Sequence, residues 1–480
     1  ESQVVKPLLQ KGESQKVLSL PWVRDQGVSV AEVYETSDLK QGLARMLSGD
    51  TLLMSEGWNK LLVLSARGWE KRAVEEPATE AVVRGPREGF AEDLQTNTSL
   101  VRRRLHSDKL RVKNLTIGSL TRTPVSLLYI EGVADPAVLS ELEERLGRIK
   151  IDGILESGYI EEFIEDSPFS PFPQVVSTER PDRVAAALLQ GQVAIMIDGT
   201  PMVLIVPSNF FNFLHSPEDY YDRWPVIIGI RLFRFMGFTI SLIIPALYVA
   251  LTTYHQEMIP TSLAVSLVAQ REQVPYPAVV EALIMQFTFE LLIEAGVRLP
   301  RPIGQFIGIV GALVIGEAAV RAGLISAAMV IVISLTAIAS FAVPSPAMVT
   351  TVRILRLPMI ILAAVMGLFG IFTGLLLILI HLCSLHSFGT AYFAPWAPFI
   401  GSDQRDVVLR VPWWAMKKRP LLPAFRNLIR LGNQPLEKMR AVGEREMPEA
   451  EAKISDRDEE SRKQGREQEE LRKRPKPGPR

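Results

Sequence analysis

Residues 357–380 read LPMIILAAVMGLFGIFTGLLLILI, a run of 24 positions without one formal charge. Crossing about 30 Å of hydrocarbon takes roughly 20 apolar residues in a helix, so this run is long enough to span a bilayer. Working outward, residues 322–352 form a second uncharged stretch of 31, and residues 235–254 a third of 20. The region from Trp224 to Leu385 therefore differs in kind from its charge-dense flanks, 1–223 and 401–480. Over the whole chain of 480 residues, 53 basic side chains balance 53 acidic ones. That balance gives no general attraction to nucleic acid. The single cysteine, Cys383, excludes an internal disulfide framework and any Cys-rich zinc module.

Hydropathy predicts four full spans near 229–254, 303–320, 324–343 and 357–383, within a helical transmembrane domain over 226–390. The segment 281–297 carries Glu281, Glu290 and Glu294 and is expected to be interfacial or re-entrant, with a fifth span left open. Arg223, Arg231 and Arg234 precede the first uncharged run, and Lys417, Lys418 and Arg419 follow the last. Positive charge gathers on the cytoplasmic side, so the N- and C-terminal regions are both expected in the cytosol. The first 30 residues hold no continuous apolar stretch of the signal-peptide kind, and residue 1 is not methionine, which reads as a fragment.

The charged N-terminal region contains a duplication at an offset of 142 residues. Leu47-Ser48-Gly49, residues 50–54, Gly57 and residues 61–64 align with Leu189-Gln190-Gly191, residues 192–196, Gly199 and residues 203–206. Each copy reads helix, glycine stop, strand, glycine turn, strand. Two similar α/β subdomains follow, over 1–118 and 119–225, the first expected to be truncated at its N-terminus. The second is preceded by a strand at 125–130 and a helix at about 135–146, while Asn97 or Thr98 is placed to cap a helix carrying Arg102, Arg103 and Arg104. Residues 391–443 form a cytosolic C-terminal segment. Beyond Glu444 there is no aromatic residue, and 444–480 reads as a disordered mixed-charge tail.

No metal, nucleophile or cofactor constellation emerges. His381, Cys383 and His386 lie close together, but at the end of a long apolar helix, where ordinary packing outweighs a metal site. No phosphate loop or nucleophile elbow is present, and no catalytic residue or cofactor is expected. The informative groups are polar side chains at membrane depth. Gln286, Glu290 and Glu294 share one helix face, which in an oligomer repeats as rings that favour cations, or else lies in water. Glu317 follows a stripe of Gly304, Gly308, Ala312 and Gly316, whose small side chains let helices approach closely. Ser334, Thr336 and Ser340 either line a pore or bond back to their own helix. Pro245, Pro344 and Pro346 mark helix ends or gating hinges.

Longer runs carry a resemblance. RGPREGF at 84–90, DGILESGYIEE at 152–162, SPFSPFP at 167–173, TERPD at 178–182, PALYVALTTYHQEMIP at 245–260, RLPRPIGQFIGIVGALVIG at 298–316 and HLCS at 381–384 resemble the A subunit of the GerA-type spore-germination receptors. The likeness runs from about Val4 to Arg419. It implies a two-part cytosolic α/β domain and a polytopic membrane domain in the spore inner membrane. It also implies a complex with a transporter-like B subunit and a lipoprotein C subunit, and oligomers that form a channel gated by nutrient binding to the B subunit. Three departures stand out: the family's first strand and helix are missing before Val4, His386 stands where relatives often carry Arg, and the charged tail is longer than the family core.

Two other classes compete with a gated channel subunit. A secondary transporter would carry the nutrient itself, yet no inverted repeat of spans is visible. A tethered scaffold would use its membrane part only as an anchor, with the α/β pair carrying the signal.

Overall fold

The computed structural model describes residues 82–298 and 316–420 throughout, together with parts of 23–80 and 427–430. Two compact units are present, Glu1–Ala73 and Val74–Arg480.

In the first unit, Val33–Thr36 (β1), Thr51–Leu53 (β2) and Leu61–Leu64 (β3) form an antiparallel sheet in the order β1-β3-β2. Leu62, Val63 and Leu64 are buried, as expected of a central strand.

The second unit opens with a helix, Leu94–Arg104 (α1), and two strands, Leu110–Ile117 (β4) and Thr123–Ile130 (β5). Pro136–Arg148 (α2), Ser157–Ile164 (α3), Val176–Thr178 (β6), Pro181–Gln190 (α4), Val193–Ile197 (β7) and Val203–Val206 (β8) complete a five-stranded sheet, β4-β5-β7-β8-β6, whose pairings are all antiparallel. Side chains alternate across its faces. Ala194 and Met196 of β7 pack with Leu100 of α1 and Val184 and Leu188 of α4. Val193, Ile195 and Ile197 pack with Leu142 of α2 and Ile160 of α3.

The duplication extends to register. Tyr34↔Val63, Glu35↔Leu62 and Thr36↔Leu61 in the first sheet become Val176↔Ile205, Ser177↔Leu204 and Thr178↔Val203 on adding 142 to each number. Thr51↔Leu64 and Leu53↔Leu62 likewise become Val193↔Val206 and Ile195↔Leu204. Because a one-residue slip would turn every side chain to the opposite face, identical register means the same residues of each copy face its core.

The division does not follow the boundary expected at 118/119. Residues 94–117 build the second sheet: β4 pairs with β5 along its whole length, and Leu100, Val101 and Leu110 are buried in that core. The start of α1 also differs from expectation. Asp93 is its N-cap, accepting from Thr96 N at 2.8 Å. Asn97 is instead buried inside the first turn, where its carboxamide accepts from Ala91 N at 2.8 Å and donates to Ala91 O at 2.6 Å.

Beyond the sheet come Trp224–Thr253 (α5), Thr261–Arg271 (α6), Ala278–Arg298 (α7), Gly316–Arg321 (α8), Ala327–Phe341 (α9) and Pro346–Ser384 (α10). Two of these, α5 and α10, have the length and apolarity of a membrane span. The span expected at 324–343 corresponds to the 15 residues of α9, shorter than a full crossing. Residues 303–315 of the span expected at 303–320 lie outside the described residues. In the segment 281–297, expected to be interfacial or re-entrant, α7 packs one face into the bundle through Ala278, Ala282 and Gln286 and leaves Ile284, Phe287 and Leu291 exposed.

The quoted run at 357–380 is not one span. Gly367 has φ 61 and ψ −139, which breaks the helix and turns the chain back. A Cβ placed on Gly374 would sit 2.5 Å from Met359 Sδ, and one on Gly370 would strike the Leu362 carbonyl. Those contacts require limbs 346–366 and 368–384 to lie side by side, antiparallel. The feet agree: Thr351 donates to Pro171 O at 2.5 Å, and His381 Nε2 shares a 2.9 Å hydrogen bond with Ser170 Oγ. A straight helix would hold Thr351 and His381 about 45 Å apart. At the tip, Tyr254 donates to the Ala364 and Val365 carbonyls, at 3.0 and 2.9 Å, which end the first limb without helical partners.

Candidate functional site

Three polar assemblies join the elements of the second unit. The first lies where α5 meets the sheet. Pro217 opens a short 3-10 turn, and Ser216 and Asp219 cap it reciprocally. This turn holds the Asp219 carboxylate in the interior. Arg231 Nε donates to Asp219 Oδ2 at 3.0 Å, and Arg234 Nη1 reaches both oxygens at 2.7 and 2.8 Å. Arg231 Nη1 also donates to Asp406 Oδ1 and to the Asp406 carbonyl, each at 3.0 Å. Tyr220 donates to Asp406 Oδ2 at 2.8 Å, and its ring lies beneath both the Arg231 and Arg410 guanidiniums.

One arginine on α5 thus ties the turn after the sheet to the chain after the hairpin. A buried charge is tolerated only with partners of this quality. His215 donates from Nε2 to Val407 O at 2.8 Å. Burial, first, and the neighbouring Arg231, second, hold its imidazole well below the usual histidine range, so it is neutral.

The second assembly seats the hairpin. The turn at 167–173 grips both feet through Ser170 and Pro171, and Phe172 is buried with its ring 6.0 Å from that of His381. Gln174 O accepts from Ser387 Oγ at 3.0 Å and from Ser208 Oγ at 2.5 Å. Tyr392 donates to Pro173 O at 2.7 Å. Met348, Leu382 and Leu385 of the hairpin feet belong to the same apolar core as Ala194 and Met196 of the sheet.

The third assembly is inside the bundle. Pro245 has no N–H, so the Ser241 carbonyl one turn earlier lacks its helical donor. Arg356 fills the gap, donating from Nε to Ser241 O at 2.8 Å and from Nη1 to Gln286 Oε1 at 3.0 Å. Gln286 donates to Glu290 at 3.0 Å, and Arg353 Nε donates to the same carboxylate at 3.0 Å. Nearby, Glu281 accepts from Ser326 Oγ at 2.8 Å and pairs with Arg271 at 3.4 Å.

Gln286 and Glu290 therefore point into the bundle together, whereas Glu294 is exposed and paired with Arg298 at 2.6 Å. Glu317 is exposed on α8, paired with Arg321 at 2.5 Å. Thr336 and Ser340 are buried and donate to Val332 O and Ala337 O of their own helix, at 2.7 Å each; Ser334 is on the exposed face. Pro344 follows the end of α9 and Pro346 begins α10. Of the small-residue stripe, Gly304, Gly308 and Ala312 lie outside the described residues. Gly316 is described, and a Cβ there would touch Val330 at 3.8 Å.

Arg231, Asp219, Asp406, Arg356, Ser170 and Thr351 had no sequence signal that singled them out. The one usable hint was Pro245, whose missing N–H leaves a carbonyl for a donor such as Arg356.

A family model described as Bacillus/Clostridium GerA spore germination protein matches residues 1–422. Spore germination protein KA of Bacillus subtilis is 48% identical over 429 residues, covering 89% of this chain and 79% of that one. Spore germination protein GerLA of Bacillus cereus is 42% identical over 396 residues, covering 82% of this chain and 80% of its own length. An uncharacterized membrane protein of Bacillus subtilis, YfkQ, is 47% identical over 393 residues, 82% of this chain and 77% of that one. Among solved structures, the N-terminal domain of the A subunit of the Bacillus megaterium spore germinant receptor GerK3 is 48% identical, covering 25% of this chain and 97% of that domain with a TM-score of 0.22. On the breadth of these matches, the chain belongs to the GerA family of spore germination proteins.

Proposed function

We propose that this chain is the multi-pass membrane subunit of a nutrient receptor, in which its sheet domain moves the hairpin α10 and so opens an ion path at germination. The observation that carries this reading is the grip of one turn, at Ser170 and Pro171, on both feet of the hairpin. A displacement of that turn acts on the two limbs together. The Arg231 joint links the same sheet domain to α5, whose far end caps the hairpin tip through Tyr254. Base and tip of the bundle are thereby connected to one soluble body.

In this reading both terminal regions are cytosolic, the membrane is the spore inner membrane, and copies of the chain assemble around the conduit. A transporter-like B subunit supplies nutrient recognition and a lipoprotein C subunit completes the complex. Gln286, Glu290, Thr336 and Ser340 are inside the bundle and form its candidate ion path, while Glu294, Glu317 and Ser334 face outward, toward a neighbouring copy. Pro245 works as the vacancy that anchors Arg356, and Pro344 and Pro346 as the joint between α9 and the hairpin.

The test replaces Thr351 by Val and Ser170 by Ala in spores, which removes both foot contacts without adding bulk. Ion release on nutrient addition should fall while the receptor persists at normal level in the membrane. Undiminished release from the double variant would remove the hairpin as the moving part.

A further inference from the structure

Beside the Arg231 joint, and sharing Tyr220 and Asp406 with it, a cavity of about 390 Å³ opens between α4, the turn at 209–221, residues 394–420 and Arg430. That size falls in the range of roughly 300–1,000 Å³ typical of small-molecule sites. Its chemistry is one-sided. The three carboxylates on its wall are engaged: Asp182 by Arg180 and Tyr221, Asp403 by the Ser402 hydroxyl, and Asp406 by Arg231 and Tyr220. Four cations on the same wall, Arg405, Lys417, Lys418 and Arg430, make no ion pair among the described residues.

Two amides add donors. The oxygens of Asn209 and Asn212 each accept the other's backbone N–H, at 3.0 Å, and their amide nitrogens have no partner among the described residues. Trp413 and Tyr220 line it with ring centroids 5.6 Å apart, and the Arg430 guanidinium lies over the indole at 4.8 Å.

We infer that this cavity binds a small molecule bearing a phosphate. Several cations and amide donors lining one space match a tetrahedral anion that accepts through three oxygens. Such a phosphate has two sources. One is a soluble phosphate ester. The other is a glycerophosphate headgroup, which rests on the membrane reading above: Trp224, Trp413 and Trp414 around the base of α5 are about half exposed, as indoles at headgroup level are.

The test uses the full chain in detergent, with tryptophan fluorescence as the signal. The probes are inorganic phosphate, glycerol 1-phosphate and short-chain phosphatidylglycerol, against short-chain phosphatidylcholine. A saturable change is expected in the native chain and lost in Trp413→Phe. In Lys417→Gln/Lys418→Gln the affinity should drop by about tenfold or more, with unchanged helix content by circular dichroism. Saturation with the soluble probes assigns a free ester and holds whether or not the chain spans a membrane. Saturation with phosphatidylglycerol alone assigns a headgroup. The inference is overturned if no probe saturates, if the lysine variant titrates like the native chain, if the signal survives in Trp413→Phe, or if phosphatidylcholine binds as well as phosphatidylglycerol.

Discussion

Arg231 Nε lies 3.0 Å from Asp219 Oδ2, and both side chains are fully shielded from solvent. Removing one member of such a pair strands the other in a low-dielectric interior, at a cost of about 3–5 kcal/mol. Asp219→Ala, which strands Arg231 and Arg234 together, should therefore lower the thermal unfolding midpoint of the detergent-solubilised chain by several degrees. Asp406→Asn should cost less, because the Asp406 side chain is 31% exposed and water can replace its charge. Equal midpoints for the two variants would contradict this placement of the charges.

The fold-back of α10 is measurable with the native cysteine. Cys383 is exposed near the second foot, and Thr350 is exposed near the first. Spin labels at Cys383 and at a Thr350→Cys substitution should report a separation of about 20 Å or less. An unbroken helix would place these positions about 50 Å apart. Gly370→Leu, which puts a side chain into the Leu362 backbone, should abolish the short distance.

Glu290 and Arg353 form an ion pair inside the bundle, each side chain about a quarter exposed. If the pair is a clasp between α7 and α10, Glu290→Arg should weaken the receptor and the exchange Glu290→Arg with Arg353→Glu should restore most of the loss. A ring of carboxylates around a conduit predicts the opposite for ion release: Glu290→Gln alone alters selectivity, and the exchange fails to restore it. Ion flux through the three variants separates the two outcomes.

On α3, burial, first, and the neighbouring Glu165, second, push the Glu161 carboxyl up to about 7. A carboxyl raised on folding stays protonated in the native state while the unfolded chain has already released its proton. Its contribution is thus most favourable below the ordinary carboxylate range and is lost as pH rises through about 7. The Glu161 contribution should fall between pH 5 and pH 8, by an amount on the order of 2 kcal/mol, opposed below about pH 6.5 by the buried neutral His215, and Glu161→Gln should remove the falling part. Denaturation midpoints across this range provide the check.

Much of this architecture is written in local pattern. The strands of the duplication were readable because alternation with period two and a glycine at each turn leave a mark within a few residues, and register follows from that mark. The charge-free middle was readable because solvation depends on composition. What escaped was set by distant partners. Hydropathy averages over Gly367, so a hairpin and a straight span look alike. Arg231 counted as a flanking charge because Asp219 and Asp406 declare themselves only once three segments meet. His381 drew notice as a candidate metal ligand, whereas its partner is a serine hydroxyl 211 positions away.

That separation also fixes an order of construction. The turn that receives the hairpin precedes Thr351 by 180 positions and His381 by 211, so it leaves the ribosome long before either foot is made. Domains fold as they emerge, N-terminal parts first. The sheet side of the dock is therefore made before the last apolar limbs arrive, and Met348, Leu382 and Leu385 complete its core when they do.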